Sequence, residues 1–291
     1  MTPADAELVT ELVTASELHV DGEVEIERED ILVEWGRPGF DLETESIGVF
    51  DDGRLLAEAE VFKGTRAEVT VHPEALGRGL GASLLDWTES VASAREAERV
   101  GQTVSDHDEA AHALLISRKY EERHTSWILE IELPDRPEEA SLPEGIAFMD
   151  YDPAVHAPAV YQVVEDAFNE WPNRDPTTFD EWANMTIRRP SFAPWQMLLA
   201  VEGSTGDIVG TAYTLEYEAE GGWVQQLATR ATHRHRGIAR ALLQRAFRIN
   251  WDRGERKVGL NTDSRTGALG LYEKVGMSVK RSYTHRSKQL S

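Results

Sequence analysis

The segment LATRATHRHRGIARALL (227–243) decides how the rest of the chain is read. An apolar, strand-like run stops at Thr229, a turn rich in Arg, His and Gly follows, and a helix begins at once. The helix pattern, IARALLQRAFRINWDRG (238–254), places apolar residues at helical spacing and closes on Gly254. The first turn of a helix has unpaired N–H groups and a partial positive charge. Gly237 and Ala239 are small enough to let a ligand approach those amides, and Arg234 and Arg236 add charge, so the turn suits a pyrophosphate. His235, Ile238 and Arg240 complete the loop. No Gly-Lys-Ser/Thr occurs and the third Gly of GxGxxG is missing, so this is neither a Walker loop nor a dinucleotide fingerprint. From this segment alone, a basic, Gly-capped helix start without a ligand stays open as an alternative.

Around the loop, VYQVVEDAF (160–168) and FDEWANMTI (179–187) predict helices. MLLAVEG (197–203), DIVGTAYTLEY (207–217), WVQQLAT (223–229) and KVGLNTD (257–263) predict strands. ALGLYEKVG (268–276) predicts a short helix and SVKRSYTHRSKQL (278–290) a final strand. The first half repeats the order in part. IGVFDDGRLLAEAEVF (47–62) reads as a hairpin, ALGRGLGASLLDWTESVASARE (75–96) as a Gly-rich turn entering a helix, HALLISRKY (112–120) as a short helix and SWILEIEL (126–133) as a strand. Sliding the chain by 158 residues lays Arg78-Gly79-Leu80-Gly81 on Arg236-Gly237-Ile238-Ala239, and Leu84-Leu85 on Leu242-Leu243. Two copies of one unit are the economical explanation. The Pro-rich, acidic stretch ELPDRPEEASLPEG (132–145) predicts a linker, which sets the expected boundary near 140.

Charge breaks at the same place. Residues 1–140 carry 34 Asp and Glu against 12 Lys and Arg, whereas 141–291 carry 18 of each. A half this acidic repels nucleic acid and anionic membranes. No apolar run reaches the roughly 20 residues of a membrane helix, and the N-terminus lacks a signal-peptide layout. The expectation is a cytoplasmic protein with no nucleic-acid or membrane partner. The chain has no Cys, which removes disulfides, thiolate metal sites and an acyl-cysteine intermediate; no metal is expected.

The loop resembles the acetyl-CoA loop of the GCN5-related N-acetyltransferase (GNAT) superfamily, whose pattern is Arg/Gln-x-x-Gly-x-Gly/Ala. Arg234-His235-Arg236-Gly237-Ile238-Ala239 matches every fixed position. The family's later pattern, Asn-x-x-Ala-x-x-Leu-Tyr-x-x-x-Gly-Phe, is met by Ala268, Leu271, Tyr272 and Gly276, with Arg265 in place of the Asn and Met277 in place of the Phe. In the first half Gly77, Arg78, Gly79 and Gly81 keep the small residues. There Leu76 stands where Arg or Gln is usual, and Ser117 roughly where Tyr272 stands. A tandem layout with a degenerate first copy is similar to mycothiol synthase and its actinobacterial relatives.

The resemblance implies an α/β (α+β) chain of two tandem GNAT-like domains, each a mixed, mostly antiparallel sheet flanked by helices. Residues 1–140 would be degenerate and 141–291 catalytic. It implies acetyl-CoA as donor, with Leu227, Ala228 and Thr229 on the strand that meets the pantetheine arm and Tyr272 as the acid for the departing thiolate. Val69 and Val71 are the matching strand positions of the first half. The implied reaction is direct attack of a small amine on the thioester. A non-catalytic acyl-CoA sensor or scaffold, a protein or peptide N-acetyltransferase, and the narrower mycothiol-synthase-like activity stay open. Glu216, Glu218 and Glu220 are candidates for the general base. None is carried over from the family, and Trp223 stands where the mycothiol enzymes have a Glu. Asp166, Phe168, Asn169, Glu170 and Trp171, with Trp182 and Trp195, could hold a cationic amine by charge and cation–π contact.

Overall fold

The computed structural model describes residues 1–138, 140–171, 174, 176–217 and 221–290. The chain divides into two compact units, Met1–Ser126 with Arg281–Ser291, and Trp127–Lys280. The first contains α1 (Ala6–Val20), α2 (Arg28–Trp35), α3 (Leu42–Glu45), β1 (Ser46–Asp51), β2 (Arg54–Phe62), β3 (Arg66–Val71), α4 (Leu80–Ala94), β4 (Arg99–Ser105), α5 (Glu109–Ser117) and the start of β5 (Glu121–Glu132). The second contains the rest of β5, then β6 (Ile146–Met149), α6 (Pro153–Phe168), α7 (Phe179–Met185), β7 (Met197–Glu202), β8 (Ile208–Tyr217), β9 (Gly221–Thr229), α8 (Ile238–Arg253), β10 (Lys257–Asp263), α9 (Leu269–Lys274) and the first residues of β11 (Ser278–Gln289). Each unit is a mixed, mostly antiparallel sheet flanked by helices, as the resemblance implies.

In the first unit β1–β2 and β2–β3 are antiparallel and β3–β4 parallel. The β1–β2 hairpin turns on Asp52 and Gly53, both at positive φ (48° and 80°), the turn that Asp-Gly favours. The strand beside β4 comes from the far end of the chain: Tyr283–Gln289 of β11 runs antiparallel to it, from Tyr283↔Ser105 to Gln289↔Arg99. On β2, Glu58 is buried and sits opposite Thr70, while Glu60 sits opposite Glu68. Burial and the neighbouring Glu68 push Glu60 up to about 7, although the Trp35 indole donates to it. Burial and Glu60 push Glu58 upward as well.

In the second unit β6–β7–β8–β9 is antiparallel and β9–β10 parallel. Side chains alternate across the sheet. A Cβ at Gly210 would meet Ile238 (2.8 Å) and Leu242 (3.2 Å), and Asn250 Nδ2 donates to Thr214 Oγ1 (2.9 Å), so this face of β8 looks at α8. Tyr213 looks the other way, to Phe192 (ring centroids 6.1 Å apart), on the face that carries α6 and α7. Ile238, Leu242, Leu243, Ala246 and Phe247 bury the apolar stripe of α8 against the sheet. Leu242 and Leu243 are fully buried, so truncating either to Ala would cost about 2–5 kcal/mol. Gly254, at φ 112°, ends the helix where the sequence places the stop. Helix α6 begins at Pro153, earlier than its apolar spacing suggests, because Asp152 Oδ1 caps the Ala154 N–H (2.9 Å) and Pro suits the first position.

Candidate active site

Two irregularities in β9 make room for a ligand. It pairs with parallel β10 only at Val258↔Gly222, Gly259↔Trp223 and Leu260↔Val224. Beyond Val224, β9 runs on to Thr229 and β10 to Asp263 without pairing. Residues 225–229 therefore use one edge for β8, and the N–H and C=O groups of the other edge face the gap. The second irregularity is a bulge. Thr214 pairs with Val224 and Tyr213 with Gln226, which leaves Gln225 as the extra residue. A bulge breaks strict alternation. Trp223, Gln225 and Gln226 thus all fall on the α6–α7 face, while Val224 and Leu227 turn to the α8 side. Trp223 fits there because residue 259 is glycine; a Cβ would sit 2.7 Å from its ring.

A cavity of about 940 Å³ opens in this gap. Its walls are β9 from Trp223 to Thr229, the loop residues His233, Arg234, His235 and Gly237, the helix start Ile238, Ala239 and Arg240, the end of β10, α9, and Ala167, Phe168, Glu170 and Trp171 at and after the end of α6. Of the residues singled out in the second half, Leu227, Ala228, Thr229, Arg234, His235, Gly237, Ile238, Ala239, Arg240 and Tyr272 line one cavity. Arg236 points elsewhere, its guanidinium 3.4 Å from the Glu144 carbonyl. His235 and Gly237 hold positive φ (61° and 89°), and Gly237 leads directly into α8. The Thr229 hydroxyl is buried with no hydrogen-bond partner among the described residues. An orphaned buried hydroxyl, a one-edged strand and an open helix start suit a long polar ligand with an anionic head.

The charges are arranged in pairs. Arg234 donates to Glu170 through both terminal nitrogens (2.5 and 3.0 Å), and this bond holds the Glu170 carboxyl below its ordinary range. Arg265 donates to Asp263 from Nη2 (2.5 Å) and from its backbone N–H (2.8 Å). Tyr272 is buried on α9; burial pushes its phenol up to about 12, against the opposing effect of a hydrogen bond with Thr262. At neutral pH it is a protonated donor.

Other expected contacts lie outside the cavity. Glu216 is ion-paired with Arg253 of α8 (Nη2–Oε2 3.0 Å) on the face away from α6, and Glu218 and Glu220 lie outside the described residues. Asp166 accepts from Gln162 (2.6 Å), Arg174 donates to Asn169, and Arg253 lies 3.9 Å over the Trp195 ring. Phe168 and Trp171 stack in the cavity wall, centroids 4.5 Å apart. Gln225 and Gln226 escaped the sequence reading; two polar residues in succession inside an apolar strand were the available sign of a bulge. In the first unit, Gly77 (φ 75°) and Gly79 (84°) reproduce the φ pattern of His235 and Gly237 at the 158-residue spacing. Val69 and Val71 there pack into a core with Leu80, Leu84 and Trp87, a Cβ on Gly81 would meet Leu114 (3.3 Å), and Arg78 lies 4.0 Å from Asp51.

The acetyltransferase (GNAT) family model matches residues 12–117 and 157–277. The chain belongs to the GNAT acetyltransferase family. It is 28% identical to the mycothiol acetyltransferase of Catenulispora acidiphila over 236 residues, 77% of this chain and 72% of that one. It is likewise 28% identical to that of Actinosynnema mirum over 232 residues, 78% and 72% of the two. The crystal structure of a GCN5-related N-acetyltransferase from Sphaerobacter thermophilus is 34% identical, covering 100% of this chain and 94% of that one, with a TM-score of 0.80. A tandem GNAT protein from the clavulanic acid biosynthesis pathway shares the fold at 13% identity, covering 100% of this chain and 97% of that one, with a TM-score of 0.72. This GNAT chain is an acetyltransferase of tandem type, and its acyl donor is acetyl-CoA. No helix among the described residues is long and apolar enough to cross a membrane.

Proposed function

We propose that the second unit moves the acetyl group of acetyl-CoA onto the amino group of a small molecule, and that the first unit is a degenerate copy without catalysis. The observation that carries this is the meeting, in one cavity, of the Gly237 helix start, the one-edged stretch of β9 and the buried phenol of Tyr272. The loop with Arg234 and Arg240 would hold the diphosphate, and the β10-side edge of residues 227–229, where the Thr229 carbonyl accepts from Arg234 Nε (3.2 Å), the pantetheine amides. A neutral amine placed beside the thioester attacks its carbonyl carbon. The C–N bond forms, the C–S bond breaks, and a backbone N–H of β9 supports the oxyanion between the two steps. The leaving sulfur takes its proton from the Tyr272 hydroxyl, and the proton shed by the nitrogen passes through water to restore the phenol.

The acids that the sequence offers for a cationic acceptor are engaged: Glu170 with Arg234 and Asp166 with Gln162. A small acceptor agrees with the relatives named mycothiol acetyltransferases; an acceptor of that kind is the narrower form of the reading. Residual acetyl-CoA binding by Val69, Val71, Gly77, Arg78, Gly79 and Gly81 is disfavoured by the packing of β3 and by Leu76, exposed where the second unit has Arg234. Calorimetry with acetyl-CoA should give one site per chain, and thiol release with an amine panel should give turnover. Two equal sites, or binding with no amine turned over, would sink the proposal.

A further inference from the structure

An indole N–H can only donate, so it fixes which end of a side-chain amide faces it. In the cavity wall Trp223 Nε1 donates to Gln225 Oε1 (2.9 Å), and Trp182 Nε1, from α7, donates to Gln226 Oε1 (3.1 Å). Each amide oxygen is thereby turned toward its indole. What remains for the cavity is the NH₂ end of each glutamine, and neither Nε2 donates to a partner among the described residues. The bulge at Gln225 is what puts the two donors side by side on the α6–α7 face. They lie at the apex of the splay, where the last parallel pair is Leu260↔Val224, past the stretch assigned to the pantetheine arm.

We propose that Gln225 and Gln226 select the acceptor, and that it is an amine carrying hydroxyl or carbonyl oxygens close to its nitrogen rather than a plain alkylamine or a diamine. The assignment rests on the reading of this cavity as the acetyl-transfer site. Trp182 and Trp223 act through the glutamines as positioning residues. Two aligned donors reward an oxygen acceptor, and a molecule without one leaves them desolvated and unpaired, the asymmetry that makes polar sites discriminating. A second ammonium group would gain nothing from the two NH₂ groups.

The test is a selectivity ratio, kcat/KM for glucosamine over kcat/KM for cyclohexylamine, which share a six-membered ring and differ in oxygens. The wild type should favour glucosamine, and Gln225→Leu and Gln226→Leu should each lower the ratio about tenfold, with KM for acetyl-CoA unchanged. Gln226→Glu keeps the size and the bond from Trp182 but trades the donors for charge. It should lower the same ratio and raise ethylenediamine relative to cyclohexylamine. If Gln→Leu variants melt early, Gln226→Glu decides. Trp182→Phe should lower the ratio about threefold by freeing the amide to turn. An unchanged ratio in Gln225→Leu, Gln226→Leu and Gln226→Glu, with wild-type turnover intact, would overturn this assignment alone. A wild type that turns over no amine would overturn it together with the proposed function.

Discussion

Glu170 and Arg234 form a double-headed ion pair in the cavity wall, and acetyl-CoA should have to compete with it. The side chains are 49% and 33% exposed, so the pair contributes little, about 0.5–1 kcal/mol, even with two contacts. A guanidinium on a diphosphate gains about 1.5–3 kcal/mol from charge-assisted hydrogen bonds. The net contribution of Arg234 to donor binding is then about 1–2 kcal/mol, and Arg234→Met should weaken acetyl-CoA about 5–30-fold. Glu170→Gln removes the competitor and should tighten acetyl-CoA about 2–5-fold. In the Arg234→Met background the same change should do nothing, because there is no guanidinium left to release. Isothermal titration of the four proteins at one ionic strength closes the cycle. Weaker binding by Glu170→Gln, or an equal effect of that change in both backgrounds, would refute the competition.

Tyr272→Phe should lower kcat about a hundredfold or more, read as thiol release, while acetyl-CoA affinity stays within about twofold. Because the phenol sits at about 12, any alkaline loss of activity below about pH 10 should belong to another group and persist in this variant. Gly237→Ala has open space for its Cβ but a backbone at φ 89°, so it should cost about 1–2 kcal/mol and lower Tm by about 2–4 °C. Glu60 titrates near 7 in the folded chain against 4.5 ordinarily, so the folded state binds the extra proton. The stability contributed by Glu60 should be fully present below 4.5, fall by on the order of 2–3 kcal/mol as pH rises to about 7, and be lost above that. Thermal scans at about pH 5.5 and 8 should show the fall in the wild type and much less of it in Glu60→Gln.

Local chemistry was the legible part. A helix start needs only a small residue, a turn and an apolar stripe, all within 227–243, and the 158-residue repeat foretold the second copy of its φ pattern. Tyr272, singled out with Ala268, Leu271 and Gly276 by the later pattern, lines the cavity. What depends on register or on distant partners was not legible. The bulge at Gln225 exists only relative to β8, and Glu170 offers no sign that its partner is Arg234, 64 residues on. Helices α1 and α2 and strand β4 are short or weakly patterned and were not anticipated.

The strand that flanks β4 has a consequence for how the protein is made. The first unit needs Tyr283–Gln289, which leave the ribosome only after the second unit has been made. Throughout synthesis of the second unit, β4 presents an unpaired edge, the kind of surface that recruits other nascent chains. The half that is translated first is therefore finished only after the half that is translated second. A stop codon shortly before Arg281 would spare the residues around Gly237 and Tyr272 and harm the half of the chain that was already synthesised.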